Sequence, residues 1–356
     1  MEEAKNKRIY WIDIIKIIAM FFIVLSHTIA YSKNLSWLYK YVSSFHVVLF
    51  FTISGLTFNI NKYKNYKQFF IHKFKTIMIP YFVFATLFLI PFFLLGNNVA
   101  DELGRTDITV DFIKPIVGIF YGNGHDNYLR QNSALWFLPC LFVLENIYYF
   151  IENIKNKNKH YFAMAFSLII GALDYYFLPI RLPWGMDIAF VMIFFFAIAR
   201  IFPTEIKNEY SNIHKSKKII EITIALCFVI LGGILQIFNV KVMYMHNQYG
   251  NYIIFILSAL SSILGYFGLI SNCKNIKFLT YAGQRTMSIL IFHKLIVLMF
   301  QTKIKPIANL LNNSIWGIEL VTAIIIVIIA MVISLIVGQV IQKFCPILFG
   351  KKKEKK

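Results

Sequence analysis

Three residues in the first apolar stretch have side chains that could do chemistry. The run from Arg8 to Tyr31 is apolar, yet it carries Asp13, Lys16 and His27. It is long enough to cross a bilayer, which takes ~20 residues. A charge at mid-helix costs roughly 2.5–3.5 kcal/mol on insertion scales, so polar groups there usually face a bundle interior. Asp13 and Lys16 are three apart, on one helical face, and can pair. His27 follows about three turns later at ~3.6 residues per turn, on roughly the same side. One face would then present an acid, a base and an imidazole at different depths. Near the helix start the charged pair could equally anchor the chain at the interface, and His27 could simply cap the far end.

Other polar groups stand out against the same apolar background. GQRTMSILIFHKLIV places His293 and Lys294 inside an apolar helix. With Arg285 at the inner end, His293 is roughly 12 Å into the membrane at ~1.5 Å per residue. It is a functional candidate or a histidine hydrogen-bonded within a bundle. The longest outer loop, Gly96 to Ser133, mixes acids, amides and aromatics. That composition suits hydroxylated sugars, and His125 beside Asp126 is a candidate substrate pair. YKQFFIHKFKT, Tyr66 to Thr76, sets Lys among Phe at helical spacing. It reads as a surface anchor, or as a basic dock for a phosphorylated donor through His72, Lys73 and Lys75.

The elements that would hold these residues are membrane spans. The chain has 356 residues, 58% hydrophobic and 15% charged, with mean hydropathy +0.64. A soluble domain is ~45–50% apolar, so the chain reads as an all-α, polytopic membrane protein. Ten apolar windows emerge, near 10–31, 42–59, 78–95, 134–152, 160–178, 186–203, 219–238, 251–271, 285–302 and 318–342. No cleavable signal is apparent at the start. The net charge of +19 does not point to nucleic acid, because the positives fall in alternate loops. With the N-terminus inside, 25 Lys and Arg face the cytoplasm against nine outside. This bias places both termini in the cytoplasm of a cell with a plasma or inner membrane. One transmembrane domain, 1–350, is followed by a basic tail, 351–356, that attracts anionic lipid. No two of the four cysteines make a CxxC pair, so neither a disulfide framework nor a zinc site is indicated.

Four patches resemble membrane-bound acyltransferase family 3, and within it the bacterial fucose-4-O-acetylase-like sugar O-acetylases. The first is Asp13 to His27, where family members carry an acid, a base and then a histidine; Ser26 stands where Gly is usual. The second is FHVVLFFTISG, Phe45 to Gly55, with Val48 in place of a proline. The third is ALWFLPCLF, Ala134 to Phe142. The fourth is GQRTMSILIFH, Gly283 to His293.

The resemblance implies about ten transmembrane helices in a bacterial membrane. It implies transfer of an acetyl group from cytoplasmic acetyl-CoA to a hydroxyl of a cell-surface glycan or its lipid-linked precursor, with no metal. The family's essential histidine maps to His27. An Arg-x-x-Arg pair tied to the donor in some members is replaced here by the stretch His72 to Thr76, which keeps the charge but not the arginines. Chemically, O-acylation needs the hydroxyl deprotonated as it attacks, and an imidazole with a pKa of ~6.5 can take that proton. His27 is then the general base, with Asp13 and Lys16 orienting or balancing its helix. His46 follows by a short loop, as a second proton handler or an acceptor-binding group. Trp136 offers a flat face for a sugar ring, or sits in an interfacial belt. The alternative is a polysaccharide or small-molecule exporter, in which the same buried polar groups line a path.

Overall fold

The computed structural model describes residues 9–94, 113–125, 128–178, 180–201, 215–271 and 273–351. These are all-helical, apart from an isolated antiparallel bridge between Met243 and Gln248. Tyr10–Thr28 (α1) and Ser36–Thr57 (α2) come first. Tyr66–Lys73 (α3) passes through a π turn, Phe74–Met78, into Ile79–Leu87 (α4). Then come Ile113–Tyr121 (α5), Phe137–Asn153 (α6), Lys159–Phe177 (α7), Met186–Ile201 (α8), Lys215–Ile237 (α9) and Tyr252–Ser271 (α10). Lys277–Gly283 (α11), Thr286–Thr302 (α12), Lys305–Asn313 (α13) and Trp316–Phe344 (α14) complete the chain.

In lipid every backbone N–H and C=O must find a partner within the protein, which an apolar helix does by itself. Among the described residues, seven helical stretches are long and apolar enough to cross a bilayer, or eight if α12 and α13, bent 94° apart, make one broken span. α2 and α7 match apolar windows and run 22 and 19 residues, yet fall outside that set. The protein is a multi-pass membrane protein.

α1 is the central helix. It packs against α2, α10, α11, α12 and α14. Ile14, Ile15, Ala19 and Val24 are almost wholly buried, although they point around most of its circumference. A helix buried on all sides needs no polar face, so its polar residues have other reasons to be there. α9 is the opposite case. Ile219, Ile220, Ile230 and Ile237 are exposed, and this ridge is suited to lipid.

Small residues let the helices approach. Ser258 on α10 donates from Oγ to the carbonyl of Gly232 on α9 at 2.8 Å. A Cβ at Gly283 would land on the carbonyl oxygen of Asp13, so only glycine lets α11 pack against α1 there.

The π turn has an identifiable cause. Pro80 offers no N–H to the carbonyl of Thr76, and its ring would press on that carbonyl. The Ile79 N–H reaches five residues back, to Phe74, instead. The widened turn receives the C-terminal 3-10 turn Pro346–Phe349. Gly350, at φ +63°, sits against the Lys75 carbonyl, and Phe349 packs 5.2 Å from Phe84.

Part of the stretch expected to be a long outer loop is helical. α5 lies within it, fixed when the Tyr81 hydroxyl donates to the Ile119 carbonyl at 2.8 Å. Its sequence, IKPIVGIFY, is apolar enough to bury Pro115, Gly118 and Ile119. Residues 95–112 and Asp126 lie outside the described residues.

Candidate active site

The end of α1 is tied down from two directions. Its last carbonyls have no partner within the helix. Gln301 of α12 donates from Nε2 to the carbonyls of His27 at 3.1 Å and Thr28 at 3.0 Å. On the following loop, the fully buried Glu319 of α14 accepts from Ser32 Oγ at 2.7 Å and Asn34 Nδ2 at 3.0 Å. The turn into α2 is therefore held, and with it the spacing between the histidines of the two helices.

Three imidazoles gather there. The rings of His27 and His293 are 5.3 Å apart, centroid to centroid. His46 reaches Ser26, the neighbour of His27, with Nε2 3.5 Å from Ser26 Oγ. Their tautomers follow from their partners. His46 Nδ1 lies 2.7 Å from the Val42 carbonyl, and His293 Nδ1 lies 2.7 Å from that of Ile289. A carbonyl can only accept, so both Nδ1 atoms carry the proton. Each Nε2 is left with a lone pair. That of His293 is buried with no hydrogen-bond partner. The Ser26 hydroxyl is already spent on the Ile23 carbonyl at 2.7 Å. The helix backbone thus poises two imidazoles as proton acceptors next to His27.

His27 and His46 open onto a cavity of about 310 Å³. Trp136, 8% exposed, forms part of its wall, as do Ser133 and Tyr244. The 3-10 turn Ser133–Trp136 is set by Asn132, whose Oδ1 accepts from the Ala134 N–H at 3.3 Å and whose Nδ2 donates to the Ile291 carbonyl at 2.7 Å. Lys294 donates from Nζ to Ser133 Oγ on the same wall. The Tyr244 hydroxyl donates to the Ser44 carbonyl at 2.8 Å, and burial pushes its pKa well above the ordinary value. Tyr244 is therefore a fixed donor and not a competing base.

The remaining sequence candidates fall elsewhere. His293 is fully buried behind His27 and does not line the cavity, so it contacts the other histidine and not the cavity's contents. Asp13 and Lys16 do pair, at 3.8 Å, and Asp13 also accepts from Gln284 Nε2 at 3.4 Å. Lys16 precedes His27 by about 16 Å of helix at ~1.5 Å per residue. The pair fastens α1 to the α11–α12 turn. His125 lines a neighbouring pocket, its ring 4.8 Å from that of His246.

At the other end of α2 lies a pocket of about 540 Å³. Thr57, Lys62, Tyr63, Gln68, His72 and Lys73 line it, and Lys75 is not part of this lining. Lys73 is held by Glu145 at 2.8 Å and stands 5.8–5.9 Å from the rings of Phe69 and Phe58. This pocket shares no lining residue with the histidine cavity. From His46 to Thr57 is about 16 Å of helix at ~1.5 Å per residue.

Sequence reasoning passed over Lys241, Tyr244 and His246, which also line the cavity. They sit on the segment between α9 and α10. Its signal was weak: a short polar run, NVKVMYMHNQYGN, whose turns need left-handed backbone at Asn247 (φ 53°) and Gly250 (φ 69°).

A family model described as an acyltransferase domain matches residues 9–342, nearly the whole chain. The chain belongs to acyltransferase family 3. No curated protein and no solved structure gives a significant match. This membrane acyltransferase therefore carries its three-histidine cluster within the matched domain, on the first, second and twelfth helices of the described fold.

Proposed function

We propose that this acyltransferase moves an acetyl group from acetyl-CoA to a hydroxyl of a cell-surface glycan, or of its lipid-linked precursor, at a bacterial plasma membrane. One observation carries the reading: His27 borders a cavity large enough for a sugar unit while two proton-accepting imidazoles stand beside it. His27 takes the proton of the acceptor hydroxyl as its oxygen attacks the thioester carbonyl carbon. The new C–O bond forms, the C–S bond breaks, and the departing thiolate takes the proton back. His293 shares the charge that arises on His27, since its ring lies 5.3 Å away and its Nε2 has no hydrogen-bond partner. His46 and Trp136 hold the acceptor.

The donor's phosphates sit at the Lys62, His72 and Lys73 pocket, on the cytoplasmic side by the positive-inside bias. The long, flexible arm of coenzyme A then covers the length of α2 to deliver its acyl end to the histidines. Both chain termini are cytoplasmic in this arrangement.

The test is purified protein in proteoliposomes, with labelled acetyl-CoA and glycan fractions from the producing cell. Label that enters the glycan as an O-acetyl ester supports the reading. Glycan that crosses the vesicle wall with its acetyl content unchanged would make the protein an exporter instead.

A further inference from the structure

A second pocket adjoins the histidine cavity. It encloses about 540 Å³ and is lined by His125, Tyr175, Arg181, Lys241, His246 and Gln248, among others. Lys241 and His246 line both spaces, so a ligand in one has its edge in the other. Among the described residues no carboxylate belongs to this lining. Two nearby acids among the described residues are turned to other work. Asp187 holds Arg181 at 2.7 Å, and Asp174 accepts from Asn247 Nδ2 at 2.6 Å. Arg181 thus keeps one counter-charge beneath the pocket. Lys241 has none among the described residues; its ammonium rests 4.4 Å from the centre of the Tyr39 ring. The His125 and His246 rings meet edge to face, 4.8 Å apart, on the same lining. Tyr175 and Tyr176 place aromatic surface at the rim, and the Tyr175 hydroxyl is anchored on the Gly250 carbonyl at 2.8 Å.

A lining with Arg181, Lys241 and the amides of Asn247 and Gln248, with aromatic surface and an ammonium that has no carboxylate partner among the described residues, matches a sugar that carries negative charge. We propose that this pocket binds an anionic unit of the acceptor glycan, a uronate carboxylate or a sugar phosphate, with Lys241 as its charge partner. The rest of the glycan then passes Lys241 and His246 into the cavity, where a hydroxyl meets His27. This proposal rests on the acetyl-transfer reading, whose acceptor it narrows to an acidic glycan.

Binding, measured apart from turnover, tests it. The probes are methyl β-D-glucuronide, α-D-glucose 1-phosphate and neutral methyl β-D-glucoside, titrated onto the full chain in nanodiscs. At least one charged probe should bind about ten-fold more tightly than the glucoside, the factor that one charge-assisted hydrogen bond supplies. Which one does so tells carboxylate from phosphate. In Lys241→Met the preference should disappear while glucoside binding stays. Equal or absent binding of all three probes overturns the proposal, as does a preference that survives Lys241→Met. Displacement of the charged probe by coenzyme A would assign the pocket to the donor and overturn it too. A charged-probe preference in a protein that transfers no acetyl would keep the pocket and sink the acetylase reading. Acetyl transfer without any preference would do the reverse.

Discussion

The rings of His27 and His293 lie 5.3 Å apart, one at the end of α1 and the other buried in α12. Gln301, two turns on from His293, holds the carbonyl end of α1 in place. One helix thus both positions the proposed base and sets a second imidazole behind it.

The first consequence concerns His27 itself. Replacing it with Ala should lower kcat by ~10²–10⁴-fold, the usual contribution of general-base catalysis, with little change in the apparent donor constant. Labelled acetyl transfer on correctly inserted protein measures this. A wild-type rate removes His27 as the base.

His293 should act through His27. Asn at this position can keep a donor near the Ile289 carbonyl while removing the basic Nε2. His293→Asn should therefore keep the melting temperature and KM, and lower kcat by about ten-fold or more. It should also alter the shape of the pH–rate profile. If kcat and the profile are unchanged, the buried imidazole is only a packing group.

Lys73 raises a question of cause. It lines the inner pocket and also neutralises the buried Glu145. Lys73→Ala alone should destabilise the protein by about 1–3 kcal/mol, because the carboxylate is left unpaired. The double variant Lys73→Met with Glu145→Gln should regain that stability. If Lys73 contacts the donor, the apparent constant for acetyl-CoA stays raised in the double variant. Recovery of the wild-type constant would make the ion pair structural. Lys75, exposed and outside the pocket, should tolerate Ala with the donor constant unchanged.

Gly283 tests the seat of α1. A methyl group there meets the Asp13 carbonyl, backbone that cannot swing aside. Gly283→Ala should cost ~1–3 kcal/mol through overpacking and lower the apparent melting temperature. Unchanged melting would mean that α11 has room to move away from α1.

Much of the fold was legible because lipid imposes a simple rule on sequence. Each apolar window has a helix over it, and the small residues Ser258 and Gly283 sit where helices approach. His27 and His46 were also legible, since a short loop between two spans leaves their ends near each other. The separation of Asp13 and Lys16 from His27 was implicit in the helical rise, although their shared face had grouped them. His293 stood out as a polar residue in an apolar run, but its partner did not, because the two are brought together only when α12 packs on α1.

By itself, then, the sequence determined an all-helical membrane protein of this acyltransferase family, with an imidazole near one end of its first helix. Hydropathy and local motif order carry that information along the chain. Tertiary structure alone decided that His293 stands behind His27, that Glu145 claims Lys73, and that the segment with Lys241 and His246 walls the cavity. Those relations join residues far apart in sequence, and they depend on how the helices pack, which no local pattern encodes.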